Sequence, residues 1–536
     1  MVNVYDMIIK NNLLYIKGNN IHSKVRGNIP YWFNNQTGHY ILPLTFDKEI
    51  NKHLNLKVKY KKPEYNFNFK LPEFVMKHQK LAFLLGLTYK RFAFYLDTGT
   101  GKTLVGLLLI DYLLKAKKIK RPLVVCPLDL IESAWIEQKY EFNEKFNTNF
   151  DFNEIDLHSI INGKIKDKRQ LLNYLNKENT LFLVNYETYI NYYNLFNLFF
   201  DFIIFDESTR LQSYNTTTSR VTRDFCWNSF VKYVFVMAGV PTPNGLHEFY
   251  TQNYVLNKYA LGDYYTHFLP IFFKHNYWRK PEIISKKRER LNEIIKLNSL
   301  FVDKREVLDL PPLLINKVYV KMTDYQQKIY NEVKIVAKSK FKFKIKVLGE
   351  DVRVANALTE YLKLRQITSG FVKNDDKVIY FQSNPKLKLL ISFLSRFKNE
   401  KIIIWCNYIA EVEAIKKVLD KKAVCIYGNI KKKEVSIRRK LWQTSKIKKI
   451  LVATVPKFQE GHNLQANCWI NIFYSRSDSY KKEHQAISRT DRKGQNNRVQ
   501  VYYFEIKGTI DTFLDKLIKQ KKGIRDLTFQ DKDRLL

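Results

Sequence analysis

Five short stretches in the first half of the chain are apolar at successive positions rather than alternate ones. They are FAFYLD (92–97), PLVVCP (122–127), TLFLVNY (180–186), DFIIFDE (201–207) and YVFVMAG (233–239). A strand that is apolar on both faces is buried on both faces, as in a parallel sheet covered by helices. Helical patterns fall between most of these stretches. A second set follows: KIIIWCN (401–407), KAVCIYG (422–428), KILVAT (449–454), CWINIFY (468–474) and VQVYYFEI (499–506). Strand and helix alternating twice predict two α/β domains, each on a parallel sheet. The span between them, 256–380, reads as mostly helical and highly charged, as in ISKKRERLNEIIKLN. Residues 1–70 differ again, being aromatic and Asn-rich with short strand-like runs. The expected organisation is a small α+β accessory domain over 1–70, a first α/β domain over 71–255, a helical linker or insertion over 256–380, and a second α/β domain over 381–536. Neither an internal repeat nor a long low-complexity segment is visible.

Charge narrows the range of partners. Lys and Arg number 91 against 52 Asp and Glu, a net +39 in 536 residues. A basic excess of that size points to a polyanion, most simply nucleic acid. The five cysteines (Cys126, Cys226, Cys406, Cys425, Cys468) form no CxxC pair, so neither a zinc site nor a disulfide framework is indicated. The opening MVNVYDMIIKNNLLYIKGNN lacks a signal-peptide layout, and no apolar run approaches membrane length. An intracellular, non-secreted protein with no membrane partner is expected, and a monomer.

DTGTGKT (97–103) joins an apolar strand to the apolar helix LVGLLLIDYLLKA. That context is what a phosphate-binding loop requires. Gly99 and Gly101 let backbone N–H groups converge on phosphate oxygens, with Asp97, Thr98 and Thr100 completing the loop. The helix N-terminus adds its positive dipole end. Lys102 can reach the outer phosphates, and the Thr103 hydroxyl can ligate Mg²⁺. The first position of GxxxxGK[ST] is Leu96 rather than glycine.

Two further clusters suit the same chemistry. DFIIFDEST ends a buried strand on Asp206 and Glu207, and adjacent carboxylates there are costly unless they meet a cation or do chemistry. Asp206 suits Mg²⁺, and Glu207 suits orienting the attacking water. In HQAISRTDRKGQ, Arg489 and Arg492 are three apart on an expected helix and would share a face. Their planar, permanently charged guanidinium groups suit triphosphate oxygens.

With these residues in place, about 70–520 resembles the superfamily-two helicases of the Swi/Snf type, motif by motif. VMKHQKLAF resembles the family's Gln motif, which implies Gln79 beside the adenine. PLVVCPLDLIESAW, with Pro127 and Trp135, and VNYETY, with Asn185 and Tyr186, resemble the next two motifs. DEST stands for the acidic box. VMAGVPTPNGLHEFY resembles a following segment through Gly239, Pro241, Asn244, Leu246 and Tyr250, and LKLRQITSG resembles the family's LRQ helix. TVPKFQEGHNL keeps Thr454, Gly461, Asn463 and Leu464 but lacks a double glycine. QAISRTDRKGQ resembles the final arginine motif, adding Gln485 to the ATP contacts. Thr209 stands where the family has His, which bears on coupling between nucleotide and nucleic acid.

The resemblance implies two tandem RecA-like domains with ATP between them. It implies Mg²⁺ on Thr103 and Asp206, and catalysis by Lys102, Asp206, Glu207, Arg489 and Arg492. It places nucleic-acid contact or coupling at Pro127, Trp135, Asn185, Tyr186, Gly239, Pro241, Asn244, Thr454, Gly461 and Asn463. It implies an ATP-dependent helicase or translocase on duplex or branched DNA, serving replication, recombination or repair. Insertions between motifs are short, so a compact motor of viral or bacterial type is expected rather than a nucleosome remodeller. An RNA-stimulated helicase and a non-catalytic nucleic-acid-binding protein with a decayed motor stay open as alternatives. VRGNIPYWFNNQTGHYILPLTFD (25–47) resembles the HARP module of annealing helicases, which implies junction binding with Trp32, Phe33 and Tyr40 stacking on bases. A small β-domain cored by its own aromatics is the other reading.

Overall fold

The computed structural model describes residues 6–10, 13–17, 20–34, 37, 39–59, 71–148, 150–163, 168–227, 230–275, 281–338, 343–354, 357–374, 377–428, 430–458 and 464–528. The chain divides into two compact units, the first running to Val307 and the second from Leu308 to Gly523.

The first unit is built on a seven-stranded sheet in the order Ser299–Val302, Arg91–Leu96, Tyr233–Met237, Phe202–Asp206, Pro122–Cys126, Thr180–Asn185, Asn153–Asp156. Every pairing in it is parallel. The five stretches picked out by their continuous apolar character are the five central strands, and their side chains are almost wholly buried on both faces. Their side chains divide between two cores, one above and one below the sheet.

Ahead of this sheet lies a four-stranded antiparallel one, in the order Asp6–Lys10, Leu13–Lys17, His39–Pro43, Trp32–Asn34. Helices Ile21–Val25 and Asp47–Leu54 accompany it, so the α+β texture read from the sequence is present. Its apolar residues belong to the same core as Leu256, Phe268, Phe272 and Leu291 of the main body. The Thr45 hydroxyl donates to the Ala260 carbonyl at 2.7 Å. Arg290 forks onto Glu49, with NH2 at 2.8 Å, and also donates to the Thr45 carbonyl at 3.0 Å. Gly262 sits at φ +90°, and a Cβ there would lie 2.3 Å from Pro30 Cβ, so only glycine lets the two segments approach this closely.

The span 256–380, expected to be mostly helical, carries strands as well. Ser299–Val302 is an edge of the first sheet, and Leu314–Val320 pairs with Gln500–Ile506 at the edge of the second. Two hairpins follow, Phe343–Val347 with Glu350–Val354 and Phe371–Asn374 with Lys377–Tyr380. Edge position explains why these were hidden. Leu314, Ile315 and Tyr319 are exposed, so this strand lacks the doubly buried signature of its neighbours.

The second unit has a six-stranded parallel sheet in the order Leu314–Val320, Gln500–Ile506, Ile470–Phe473, Ile402–Cys406, Ile450–Thr454, Ala423–Ile426. Beyond the Ile470–Phe473 strand, Arg476 is buried among acids. Its guanidinium meets Glu483 at 3.1 Å, Glu505 at 3.0 Å and Asp515 at 2.8 Å, and lies 3.8 Å over the Tyr503 ring. Burial alone would weaken its charge, but the surrounding carboxylates hold the guanidinium above its ordinary value. Lys317 of the edge strand is salt-bridged to Asp515, tying sheet edge to network. Removing one partner of such a cluster leaves buried charges uncompensated. Arg476→Ala is therefore expected to destabilise the second unit by about 3–5 kcal/mol, read as a lower urea midpoint for that unit.

Candidate nucleotide-binding site

In an open parallel sheet, ligands gather at the carboxyl ends of the strands where the order reverses. In the first unit many of the residues singled out by motif leave from that edge. The phosphate loop follows Leu96, Pro127 follows the Pro122–Cys126 strand, Tyr186 follows Asn185, Glu207 follows Asp206, and Gly239 comes two residues after Met237. The Tyr233–Met237 strand lies between those that carry the loop and the acidic pair, and pairs with both.

Gly99 and Gly101 have φ of 88° and 87°, in the region that glycine alone enters without strain. Leu96 is fully buried as the last residue of its strand, where a glycine is not needed; its carbonyl accepts from Lys102 Nζ at 2.9 Å. The loop is braced from within. The Asp97 carboxylate accepts from Thr98 N at 2.6 Å, and the Thr100 hydroxyl donates to the Asp97 carbonyl at 2.7 Å. It is braced from outside by the Lys77–Tyr89 helix, whose His78 Nε2 and Gln79 Nε2 donate to the Thr100 carbonyl at 2.8 and 2.9 Å. A Cβ on Gly101 would lie 2.2 Å from Gln79 Nε2. Gln79, assigned from the sequence to the adenine, thus holds the loop itself, and buried His78 was not singled out. Its signal was the adjacency of two polar residues on an otherwise apolar helix.

Asp206 is 5% exposed at the end of its strand. Its carboxylate accepts from Trp135 Nε1 at 3.1 Å and from Glu207 N at 2.9 Å. Burial first, then the neighbouring Glu207 carboxylate, push the Asp206 carboxyl up to about 6, against the pull of Lys102 and Trp135. A buried acid next to a second acid is a fitting ligand for a divalent cation. Among the described residues no cluster of three or more His, Cys, Asp or Glu that could hold a metal ion is present. Glu207 adopts φ 52°, a strained conformation for a non-glycine residue and one often kept at functional sites.

Several residues grouped from the sequence with nucleic-acid contact or coupling brace the site in this structure. Trp135 is fully buried, with Gly106 leaving room for its ring: a Cβ there would lie 2.7 Å from it. Buried Tyr186 donates its hydroxyl to the Asp206 carbonyl at 2.9 Å. Asn185 donates to Glu187 at 2.8 Å. Burial excludes Trp135 and Tyr186 from direct contact with a polymer; they hold Asp206 instead. Gly239 abuts the phosphate loop, since a Cβ on it would lie 3.0 Å from Thr98 Oγ1 and 3.6 Å from Lys102 Nζ. Exposed Asn244 donates to Glu248 at 2.8 Å.

Gln252 is a missed member. Ser208 of the acidic box donates to it at 2.7 Å, and Gln252 donates to the Pro241 carbonyl at 3.0 Å. The acidic box is thereby wired to the segment after Met237. The signal was Thr251, Gln252 and Asn253, three consecutive buried polar residues in the helix Phe249–Leu256. Thr209 is buried and donates weakly to the Glu207 carbonyl at 3.4 Å.

In the second unit the expected helix carrying both arginines stops short. It runs Tyr480–Ile487, and Arg489 and Arg492 lie in the turns beyond, so the shared-face argument fails. Gln495 pins these turns by donating to the carbonyls of Gln465, Cys468 and Thr490 at 2.9, 3.0 and 3.2 Å. Gln485 and Arg489 are buried, Arg492 is partly exposed, and Thr454 ends its strand in the core. Gly461 and Asn463 lie outside the described residues.

Residues 82–370 match the family model of the SNF2-related domain, and residues 385–494 that of the helicase conserved C-terminal domain. The chain is similar to an uncharacterized ATP-dependent helicase of Mycoplasma genitalium, 23% identical over 447 residues, covering 80% of this chain and 39% of that protein. It is also similar to the uncharacterized ATP-dependent helicase YqhH of Bacillus subtilis, 22% identical over 470 residues, covering 82% of this chain and 76% of that one. The chain spans about two fifths of the length of the Mycoplasma protein. Among solved structures, the Sulfolobus solfataricus SWI2/SNF2 ATPase core in complex with dsDNA matches at 20% identity and TM-score 0.38, over 89% of this chain and 98% of that one.

The raised Asp206 carboxyl sets a pH dependence. The folded chain binds this proton more tightly than the unfolded one, so Asp206 opposes folding increasingly as pH rises from about 3.8 to about 6, fully above that, and not at lower pH. Cation binding has the opposite need, an ionised carboxylate. Affinity for a Mg²⁺-nucleotide is expected to rise as pH increases through about 6. Trp135→Phe, which removes a donor to the carboxylate, should move that limb to higher pH. Titration with a fluorescent nucleotide across about pH 5–8 reads both.

Proposed function

The chain belongs to the family of the SNF2-related domain, here followed by a helicase conserved C-terminal domain, and from that membership we propose that it is an ATP-dependent motor acting on DNA. One observation carries the reading. A loop with two left-handed glycines, Lys102 at its end, and a buried Asp206 followed by the part-buried Glu207 leave the same edge of one sheet.

In this reading the backbone N–H groups of Gly99 to Lys102 receive the phosphates, and the Lys102 ammonium exchanges the Leu96 carbonyl for a phosphate oxygen. Thr103 and Asp206 would hold a Mg²⁺ that neutralises charge on the phosphates. Glu207, fixed in its unusual backbone conformation, orients the attacking water and takes its proton. Trp135 and Tyr186 keep Asp206 in place. Arg489 and Arg492, with Gln485, are assigned to the nucleotide by their likeness to the family's final arginine motif; a guanidinium contributes by stabilising charge that develops during phosphoryl transfer.

DNA as the track is supported by the net charge of +39, which favours sequence-independent contact with phosphates and steep loss of affinity with salt. Movement on duplex or branched DNA, in replication, recombination or repair, is the role proposed. Hydrolysis is expected to be stimulated more by duplex DNA than by single strands or RNA. Preferential stimulation by RNA would replace the DNA reading. Lys102→Ala should lower DNA-stimulated turnover by at least about a hundredfold, since one preorganised charge contact at a transferring phosphate is worth on the order of 3 kcal/mol. Equal turnover in variant and parent would reject the motor altogether.

A further inference from the structure

Five rings form one array across the seam where the N-terminal sheet meets the body of the first unit. Tyr31 and His267 are at its centre, stacked with centroids 5.3 Å apart and planes at 21°. His267 Nδ1–H donates to the Tyr31 carbonyl at 3.1 Å. On one side Tyr264 meets His267 at 5.2 Å. On the other, His22 meets Tyr31 at 5.5 Å edge-on, and Tyr40 closes the group at 5.8 Å from Tyr31. The central rings are half-buried, whereas Tyr264 is 49% exposed and His22 is exposed.

The seam does not require the two outer rings. Thr45, Arg290 and the Gly262–Pro30 contact already hold it, and Tyr31 with His267 fills it. Tyr264 and His22 extend the ring surface towards solvent, each resting on a ring that is itself fixed. One stacked pair flanked by tilted, half-open rings offers aromatic surface to flat ligands. Burial first, then Tyr40, raise the Tyr31 hydroxyl, and the exposed Arg26 opposes them, which puts a cation within electrostatic reach of these rings. Asp263, next to Tyr264 in sequence, is engaged by Tyr254 at 2.8 Å and Lys258 at 3.7 Å.

We infer that this array is a stacking platform for unpaired nucleobases, with Arg26 meeting the adjoining phosphate. Rings accept any base by its face, and a duplex hides those faces, so the platform selects single-stranded segments. The site also differs from the one expected over Trp32, Phe33 and Tyr40. The side chains of Trp32 and Phe33 lie outside the described residues, and the array recruits Tyr264 and His267 from outside the N-terminal domain. What the platform serves rests on the reading of the chain as a DNA motor; the binding itself is measured without ATP.

The test is anisotropy of a labelled oligothymidine of about 12 nucleotides, a length within the range single-strand binders occupy, with the full chain. Tyr264→Ala combined with His22→Ala should weaken binding about tenfold or more, as expected for loss of base stacking. Tyr264→Phe with His22→Phe should restore it. An abasic strand of equal length should bind the parent as weakly as the oligothymidine binds the Ala variant. Equal affinity of parent and Ala variant, or of normal and abasic strands for the parent, would overturn the inference. Should the double variant unfold, Tyr264→Ala alone, at an exposed ring, is measured in its place and must weaken binding in the same direction. A parent that discriminates abasic from normal strands yet shows no DNA-stimulated hydrolysis would defeat the motor and leave the platform standing; the reverse pattern would do the opposite.

Discussion

A carboxylate at the end of a buried strand needs partners, and much of the first unit can be read as the supply of them to Asp206. Trp135 reaches it with an indole N–H, Glu207 with a backbone N–H, and Tyr186 fixes the carbonyl of the same residue. The supply has its own requirements. Trp135 fits because Gly106 has no side chain, and Gly106 sits on the helix that begins with Lys102. The lysine that draws the Asp206 carboxyl down is thus on the element that makes room for the indole holding it. Phosphate loop and acidic pair are linked by packing as well as by charge.

The same logic explains two departures from the family's pattern. Leu96 replaces a glycine without disturbing the loop, because that residue is still extended and buried in the strand, and the left-handed turns fall later, at Gly99 and Gly101. Thr209 stands where that pattern has a histidine, and one residue earlier the acidic box makes a contact of its own. Ser208 contacts Gln252, which in turn holds the Pro241 carbonyl. A path from the acidic box to the neighbouring segment runs through Ser208 and Gln252.

Legibility followed burial. Strands buried on both faces, such as Phe202–Asp206 and Ile402–Cys406, were plain in the sequence because both faces must be apolar. The edge strand Leu314–Val320 and the four-residue Ser299–Val302 were not, since an edge can be polar and four residues carry little pattern. Phosphate-loop and acidic residues were legible because their chemistry restricts residue type. Their supports were less so: the bracing role of Gln79, and His78 and Gln252 altogether, were missed, because a side-chain hydrogen bond to a distant carbonyl leaves no local spacing. The helix assumed for Arg489 and Arg492 failed for a related reason. Gln495 stabilises turns there through three carbonyls that only the fold brings together.

Among the described residues, the four-stranded N-terminal sheet shares its core with the main body. Its apolar face is completed by Phe268, Phe272 and Leu291, and Gly262 admits Pro30 at a distance no other residue would allow. It is consequently not a transferable cassette. A chimera that exchanged residues 1–59 between relatives would have to carry the segment from Ala260 to Glu293 with it, and inheritance should couple the two stretches although some two hundred residues separate them.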